Sequence, residues 1–218
     1  MVNSMYVLKI CCSVWKNENR DKRELSVCKE LGMDVAVLAK GENADKGRKD
    51  EVDGFVVFRY STRPLRKVPN SVNRIISLFT WAGFARNQRP DIISGHDICG
   101  LTIGWMSNWF RPKNQKAKLV YDSHEFELGR NTKRSSFQFK WVKFWEGFLI
   151  KQSAMSIMVN DSIADEVQNI YKLKERPVVV RNIPEKWNID YAECAKTREY
   201  ILEYMANDEM EKKIMKAD

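Results

Sequence analysis

The chain has 218 residues, 44% of them hydrophobic and 30% charged, with a formal net charge of +8. That length suffices for one large domain, or for one domain and part of a second, and no run of about 18 apolar residues marks a membrane-spanning helix. The five cysteines (Cys11, Cys12, Cys28, Cys99 and Cys194) are odd in number and fit no zinc-ligand spacing, so reduced thiols are expected rather than a disulfide framework.

The surplus of Lys and Arg admits an ordinary basic surface, a face toward anionic lipid, or nucleic acid. No DNA- or RNA-binding motif accompanies it and the basic residues are scattered among many loops, so no nucleic-acid partner is expected.

In chain order, "MVNSMYVLKICCSVW" resembles a signal peptide in outline. Its first residues lack positive charge and Lys9 interrupts the apolar stretch, so Met5–Cys12 reads as a first buried strand. Further apolar runs follow at Asp34–Ala39, Phe55–Tyr60, Asp91–Ser94, Lys118–Tyr121, Ser156–Val159 and Pro177–Arg181. They are rich in Val and Ile and mostly lack period-two alternation, as strands buried on both faces do.

Helical stretches lie between them. "ENRDKRELSVCKEL" stops at Gly32. "SVNRIISLFTWAGFARNQ" gathers Val72, Ile75, Ile76 and Phe79 on one face and stops before Pro90; "CGLTIGWMSNWF" stops before Pro112. "SSFQFKWVKFWEGFLIKQ" is long and aromatic, and "DSIADEVQNIY" opens on Asp161 or Ser162 as N-cap. This alternation predicts a Rossmann-like, doubly wound parallel sheet of about seven strands over residues 1–185, with ligands beyond the carboxyl strand ends. Residues 186–218 hold no strand candidate and read as a helical tail or the start of a linker.

The only two histidines both follow apolar runs. His96 stands beside Asp97 in "DIISGHDICG", and His124 stands in "LVYDSHEFE" with Asp122, Ser123 and Glu125. Both therefore fall at carboxyl strand ends, where a histidine can act as acid, base or hydrogen-bond partner near neutral pH. Asp97 has a second reading, as the cap of the following helix, and His124 as a loop tie. A metal site would need these two loops to converge; a polar ligand is the expected occupant, and no metal is assigned. Ser123 lacks the "GxSxG" elbow, and neither a P-loop nor a "GxGxxG" fingerprint is present, so no nucleotide cofactor is expected. Arg20 and Arg23, near the start of the first helix, suit an anion such as phosphate, or form a solvated, charged first turn. The basic, aromatic stretch 130–152 reads chiefly as core, with an anionic membrane surface as the alternative for one of its faces.

Taken together, these segments resemble the N-terminal half of a retaining glycosyltransferase of the GT-B fold, family four ("glycosyl transferases group 1"), from about residue 5 to residue 185. "PDIISGHDICGLTIGW", "KLVYDSHEFELG", "SAMSIMVNDSIADEVQNIY" and "PVVVRNIPE" are each similar to a family segment, in order and at family spacing. In the opening segment Arg20 and Glu24 match and Glu18 stands in place of an Asp. The resemblance implies a domain that binds the acceptor, opposite one that binds a nucleotide-sugar, with no metal requirement. It implies that His124 contacts the donor sugar or the reacting centre and that Asp122 and Glu125 shape its loop. His96 and Asp97 would line the acceptor side, and Arg20 would serve where the Gly-Gly loop of some members is missing.

The expected function is hexosyl transfer from a nucleotide-sugar to a glycan or lipid-linked acceptor, in surface polysaccharide or glycolipid synthesis at the inner face of the cell membrane. Nothing after Asn182 resembles a donor-binding half, so the 218 residues by themselves are expected to transfer no sugar, and an exposed half-cleft would promote a homodimer. The alternatives are a stand-alone, non-catalytic binding module for a glycan or partner transferase, and a small hydrolase-like or metal-dependent enzyme using the two histidine loops.

Overall fold

The computed structural model describes residues 4–16, 18–42, 45–65, 67–130, 134–183, 192–193 and 195–203. The chain divides into two compact units, 1–182 and 183–218. The described residues of the second unit are helical at 192–193 and 195–203, and Cys194 lies outside the described residues.

The first unit is built on one sheet. Its strands are β1 (Tyr6–Cys11), β2 (Asp34–Lys40), β3 (Lys46–Val52), β4 (Phe55–Tyr60), β5 (Ile92–His96), β6 (Lys118–Asp122), β7 (Met155–Met158) and β8 (Val178–Val179). They lie in the order β3-β4-β2-β1-β5-β6-β7-β8, and every neighbouring pair is parallel except β3–β4. The α-helices are α1 (Asn19–Glu30), α2 (Asn70–Gln88), α3 (Asp97–Ser107), α4 (Ser136–Ile150) and α5 (Asp161–Tyr171).

The doubly wound parallel sheet is as expected, with one strand more than the seven read from the sequence. The addition, β3, is "KGRKDEV", with five of its seven residues charged. It pairs antiparallel at the sheet edge, where a strand needs little apolar surface and charge discourages further pairing.

Alternate residues of β1 divide between two cores. Leu8 and Ile10 join the larger core, under α2, α3, α4 and α5, whereas Val7 and Cys11 join the smaller one, with Trp15 and Leu25 of α1. The sheet is thus covered on both faces, which is why its strands read as near-continuous apolar runs. The larger core encloses a polar tie: Tyr121 and Tyr171 each donate to Glu146, at 2.7 Å, joining β6, α4 and α5. Burial pushes the Glu146 carboxyl up.

Two helices are rotated away from the expected orientation. Val72, Ile75 and Phe79 of α2 are exposed, and its buried residues are Asn73, Ser77, Trp81, Ala82 and Ala85. Asn73 binds the backbone of Leu65 and Val68, and Trp81 Nε1 donates to the Ser61 carbonyl at 3.1 Å, so polar anchors fix the rotation. In α4, Phe137, Phe139, Trp141 and Phe144 are exposed, while Glu146, Leu149 and Ile150 are buried. Most of the aromatic residues assigned to the core therefore lie outside it. The N-cap of α5 is Asn160, whose side chain accepts from Ile163 N at 2.8 Å, rather than Asp161 or Ser162.

Candidate active site at the carboxyl edge of the sheet

Strand β1 pairs with β2 on one side and β5 on the other, so the winding direction reverses there. Ligands of such sheets bind beyond the carboxyl ends at this reversal. The α3 helix starts directly after β5 and packs tightly against it. A side chain on Gly95 would meet the Leu101 backbone nitrogen at 2.5 Å, and one on Gly100 would collide with the Ile10 carbonyl. Asp97, the first residue of α3, has φ +54°, a left-handed conformation that is costly for a residue with a side chain. Its carboxylate compensates by accepting from His124 N at 3.0 Å and Arg130 Nη2 at 2.7 Å. It therefore ties the β5 edge to the β6 loop rather than capping its own helix.

Register places His96 opposite Asp122, bringing the two histidine loops together. The imidazoles of His96 and His124 stack, centroids 3.7 Å apart. Asp21 of α1 lies between them: its Oδ2 is 2.8 Å from His96 Nδ1 and its Oδ1 is 2.9 Å from His124 Nε2. Asp122 Oδ2 is 3.1 Å from the same His124 nitrogen. Adjacent His96 and Asp97 are only loosely paired, at 3.8 Å.

Beneath the histidines, Lys9 is fully buried, its ammonium 3.0 Å from Asp21, 2.7 Å from Glu24 and 2.5 Å from Asp122, with Ser94 Oγ at 3.2 Å. Asp21 and Glu24 stand one turn apart on α1 and so face the same strand residue. Arg20, expected to reach an anion, is folded inward: its guanidinium pairs with Asp122 and donates to the Ser123 carbonyl at 3.3 Å. Nor is the first turn of α1 a merely solvated one, since Arg23 donates to Asn182 Oδ1 at 2.6 Å. Ser123 Oγ donates to the Glu125 carbonyl at 2.7 Å, and the exposed Glu125 carboxylate pairs with Arg130 at 2.9 Å.

Burial opposes charge on both imidazoles, but carboxylate partners overcome it. Hydrogen bonding to Asp21 lifts His96 to about 10, and Asp122 and Asp21 raise His124. Burial likewise opposes charge on Asp21 and Asp122, yet Lys9 and the imidazoles hold both carboxyls below their ordinary value. Burial is the leading cause that raises Glu24. The edge is therefore a hydrogen-bond-rich floor in which Lys9, Arg20 and the imidazoles are matched by buried carboxylates. With Nε2 turned to the carboxylates, His124 keeps Nδ1 without a partner among the described residues, able to donate to a bound oxygen.

Two groups hold converging metal-ligand atoms within 4.8 Å: Cys11, Glu18, Asp21 and His96; and Asp21, Asp122 and His124. In the second, the carboxylates already bracket the Lys9 ammonium. In the first, Glu18 accepts from Ser13 Oγ at 2.5 Å, and Cys11 Sγ lies 3.7 Å from His96.

The sequence profile of Glycosyltransferase Family 4 matches residues 26–183, well over half of the chain. The chain belongs to Glycosyltransferase Family 4.

Solved structures of similar fold accompany that match. Sucrose-phosphate synthase from Thermosynechococcus elongatus superposes with TM-score 0.58 at 10% identity, over 81% of this chain and 47% of that one. The lipopolysaccharide outer core galactosyltransferase WaaB gives 0.55 at 11% identity, over 85% and 48%. The catalytic domain of starch synthase IV from Arabidopsis thaliana gives 0.53 at 12% identity, over 81% and 51%. This family-four chain thus spans about half the length of the structures it matches. No curated protein matches it by sequence.

Sequence reasoning placed both histidines, Asp97 and Asp122 at this edge, and the fold brings all four together. It noted Lys9 only as an interruption of a strand and did not select Asp21. The available signal was a lysine at the centre of an otherwise apolar strand, which demands buried carboxylates elsewhere.

Proposed function

We propose that this chain is the acceptor-binding half of a hexosyltransferase, which moves a sugar from a nucleotide-sugar to a glycan or lipid-linked acceptor with retention, in surface polysaccharide or glycolipid synthesis. The observation that carries the reading is the stacked histidine pair held on Asp21, at the reversal point of a family-four sheet. His124 serves as a hydrogen-bond donor to the transferred sugar, held in orientation by Asp21 and Asp122. No metal or cofactor is assigned to the transfer. The test is incubation of protein carrying this chain with a panel of nucleotide-hexoses and lipid or glycan acceptors, with mass spectrometry of the products. A hexosyl-mass gain on an acceptor is expected, and consumption of none of the donors would overturn the reading.

A peripheral place on an anionic membrane, at the inner face of the cell membrane, belongs to the same proposal. It rests on a chain of ring contacts across three helices: Phe79–Trp109, Trp109–Trp105, Trp105–Trp145, Trp145–Trp141 and Trp141–Phe144, each 5.0–6.4 Å between centroids. Its outer members are exposed, as are Phe110 (86%) and Phe137 (77%). Cations flank it: Lys140 and Lys143 are exposed on α4, and burial together with Arg86 and Arg89 lowers the Arg111 pKa. Aromatic rings among cations suit an anionic bilayer surface. No helix among the described residues is long and apolar enough to cross a membrane. Association of two copies through these rings is the competing outcome.

A further inference from the structure

A second feature lies beside the histidines. A cavity of about 1010 Å³ opens at the carboxyl ends of β4, β2 and β1, under the start of α2 and the first turns of α3. Three cations line it: Lys40 from the end of β2, Arg63 from the segment after β4, and Arg74 from the second turn of α2. None of the three has an ion-pair partner among the described residues.

The 19-residue helix α2 presents its amino end here, with Asn70 and Ser71 on the lining. Its N-cap is Pro69, which makes no side-chain cap hydrogen bond, so among the described residues no cap side chain occupies the first-turn N–H groups. Trp81, anchored to the Ser61 carbonyl, contributes a rigid wall. Like charges gathered around one concavity focus a positive potential and call for an anion.

The cavity adjoins the histidine site. Cys12 on its lining follows Cys11, which lies 3.7 Å from His96, and Cys99 on its lining stands two residues after Asp97 in α3. The Cys99 thiol is lowered first by its hydrogen bond with Cys12, and the Arg74 guanidinium lowers it further.

We infer that this cavity binds a phosphoryl group, a phosphate or diphosphate ester, carried by the acceptor. Lys40, Arg63, Arg74 and the amino end of α2 would hold it, directing the acceptor toward the histidine pair. The inference deepens the transferase reading and rests on it.

The experiment is calorimetric titration of the chain with inorganic pyrophosphate at about 0.15 M ionic strength, where exposed charges farther than about 8 Å apart are screened. Parallel titrations use uridine and adenosine diphosphates. Saturable pyrophosphate binding is expected, weakened about tenfold by each of Lys40→Ala, Arg63→Ala and Arg74→Ala and unchanged by Lys49→Ala on the exposed β3 edge.

No binding, or equal binding by the triple variant, would overturn the site. Nucleoside diphosphates that bind more than tenfold tighter than pyrophosphate, through the same three cations, would assign the cavity to the donor and overturn the acceptor assignment. Because binding is read without a sugar donor, its loss condemns the cavity alone, and an absence of transfer condemns the transferase reading alone.

Discussion

His96 and His124 lie face to face, 3.7 Å between ring centroids and 26° from parallel, with the Asp21 carboxylate bonded to both. Both imidazoles are held by the carboxylates that α1 and β6 supply, so the stacked arrangement depends on them. Site and stability are therefore coupled: the groups that orient His124 also neutralise the buried centre of the sheet.

Removing His124 tests its role directly. In protein that shows sugar transfer, His124→Ala is expected to lower kcat about 100-fold or more, with activity compared well below the thermal midpoint of the variant because His124 also pairs with Asp21 and Asp122. His96→Ala is expected to act less on kcat, since His96 reaches the reacting edge through the stack. Equal activity of His124→Ala and the parent would remove His124 from the chemistry.

Lys9 is expected to dominate the stability of the first unit. Lys9→Met leaves Asp21, Glu24 and Asp122 facing one another without their shared ammonium. Breaking a buried ion cluster in this way costs about 3–5 kcal/mol, to be read by urea unfolding. A loss below about 1 kcal/mol would mean that the cluster is hydrated rather than sealed.

Stability should depend on pH in a defined direction. A histidine raised on folding stabilises fully below its unfolded value of about 6.5 and loses that contribution as pH rises through the folded value, about 10 for His96. His124 and the raised Glu24 act in the same sense. Asp21 and Asp122, lowered on folding, stabilise above about pH 3.8 and lose that contribution below it. Unfolding free energy should therefore fall from near pH 6.5 toward pH 10, and His96→Gln should flatten that slope. An unchanged slope in the variant would rule out a charged His96.

The aromatic chain predicts a surface activity. Vesicles containing anionic lipid should retain the protein, neutral vesicles should not, and Trp141→Ala with Phe144→Ala should weaken retention about tenfold or more, given about 25 cal/mol per Å² of apolar area withdrawn from water. Equal retention by both vesicle types, or concentration-dependent dimers dispersed by the same substitutions, would assign the face to apolar contact or self-association instead.

Glu146 offers a contrast within the larger core. Glu146→Gln keeps polar partners for Tyr121 and Tyr171, whereas Glu146→Leu leaves two buried hydroxyls unpaired, at about 1–3 kcal/mol each. Chemical denaturation should separate the two variants by at least about 1 kcal/mol.

The sequence by itself determined the parallel sheet, because strands covered on both faces are largely apolar, and runs such as "DVAVLA" announce this without help from partners. It also determined that His96 and His124 stand at carboxyl strand ends, since each follows such a run directly. It did not determine β3, whose charged residues carry no periodic signal because an edge strand buries little. The rotation of α2 was hidden for a related reason: Asn73 and Trp81, which anchor the helix, bond to backbone carbonyls of residues that precede it, and apolar spacing alone selects the opposite face.

Only the tertiary structure decided the site. The pairing of β5 with β6, the tight approach of α3 past Gly95 and Gly100, and the placement of α1 over β1 together bring Lys9, Asp21, Asp122 and both histidines within ion-pair range. Arg20 shows the physical reason most clearly. Local sequence gives it a charge and a helix start, but whether that charge meets a ligand or a buried carboxylate depends on what the fold sets opposite it, and here that is Asp122.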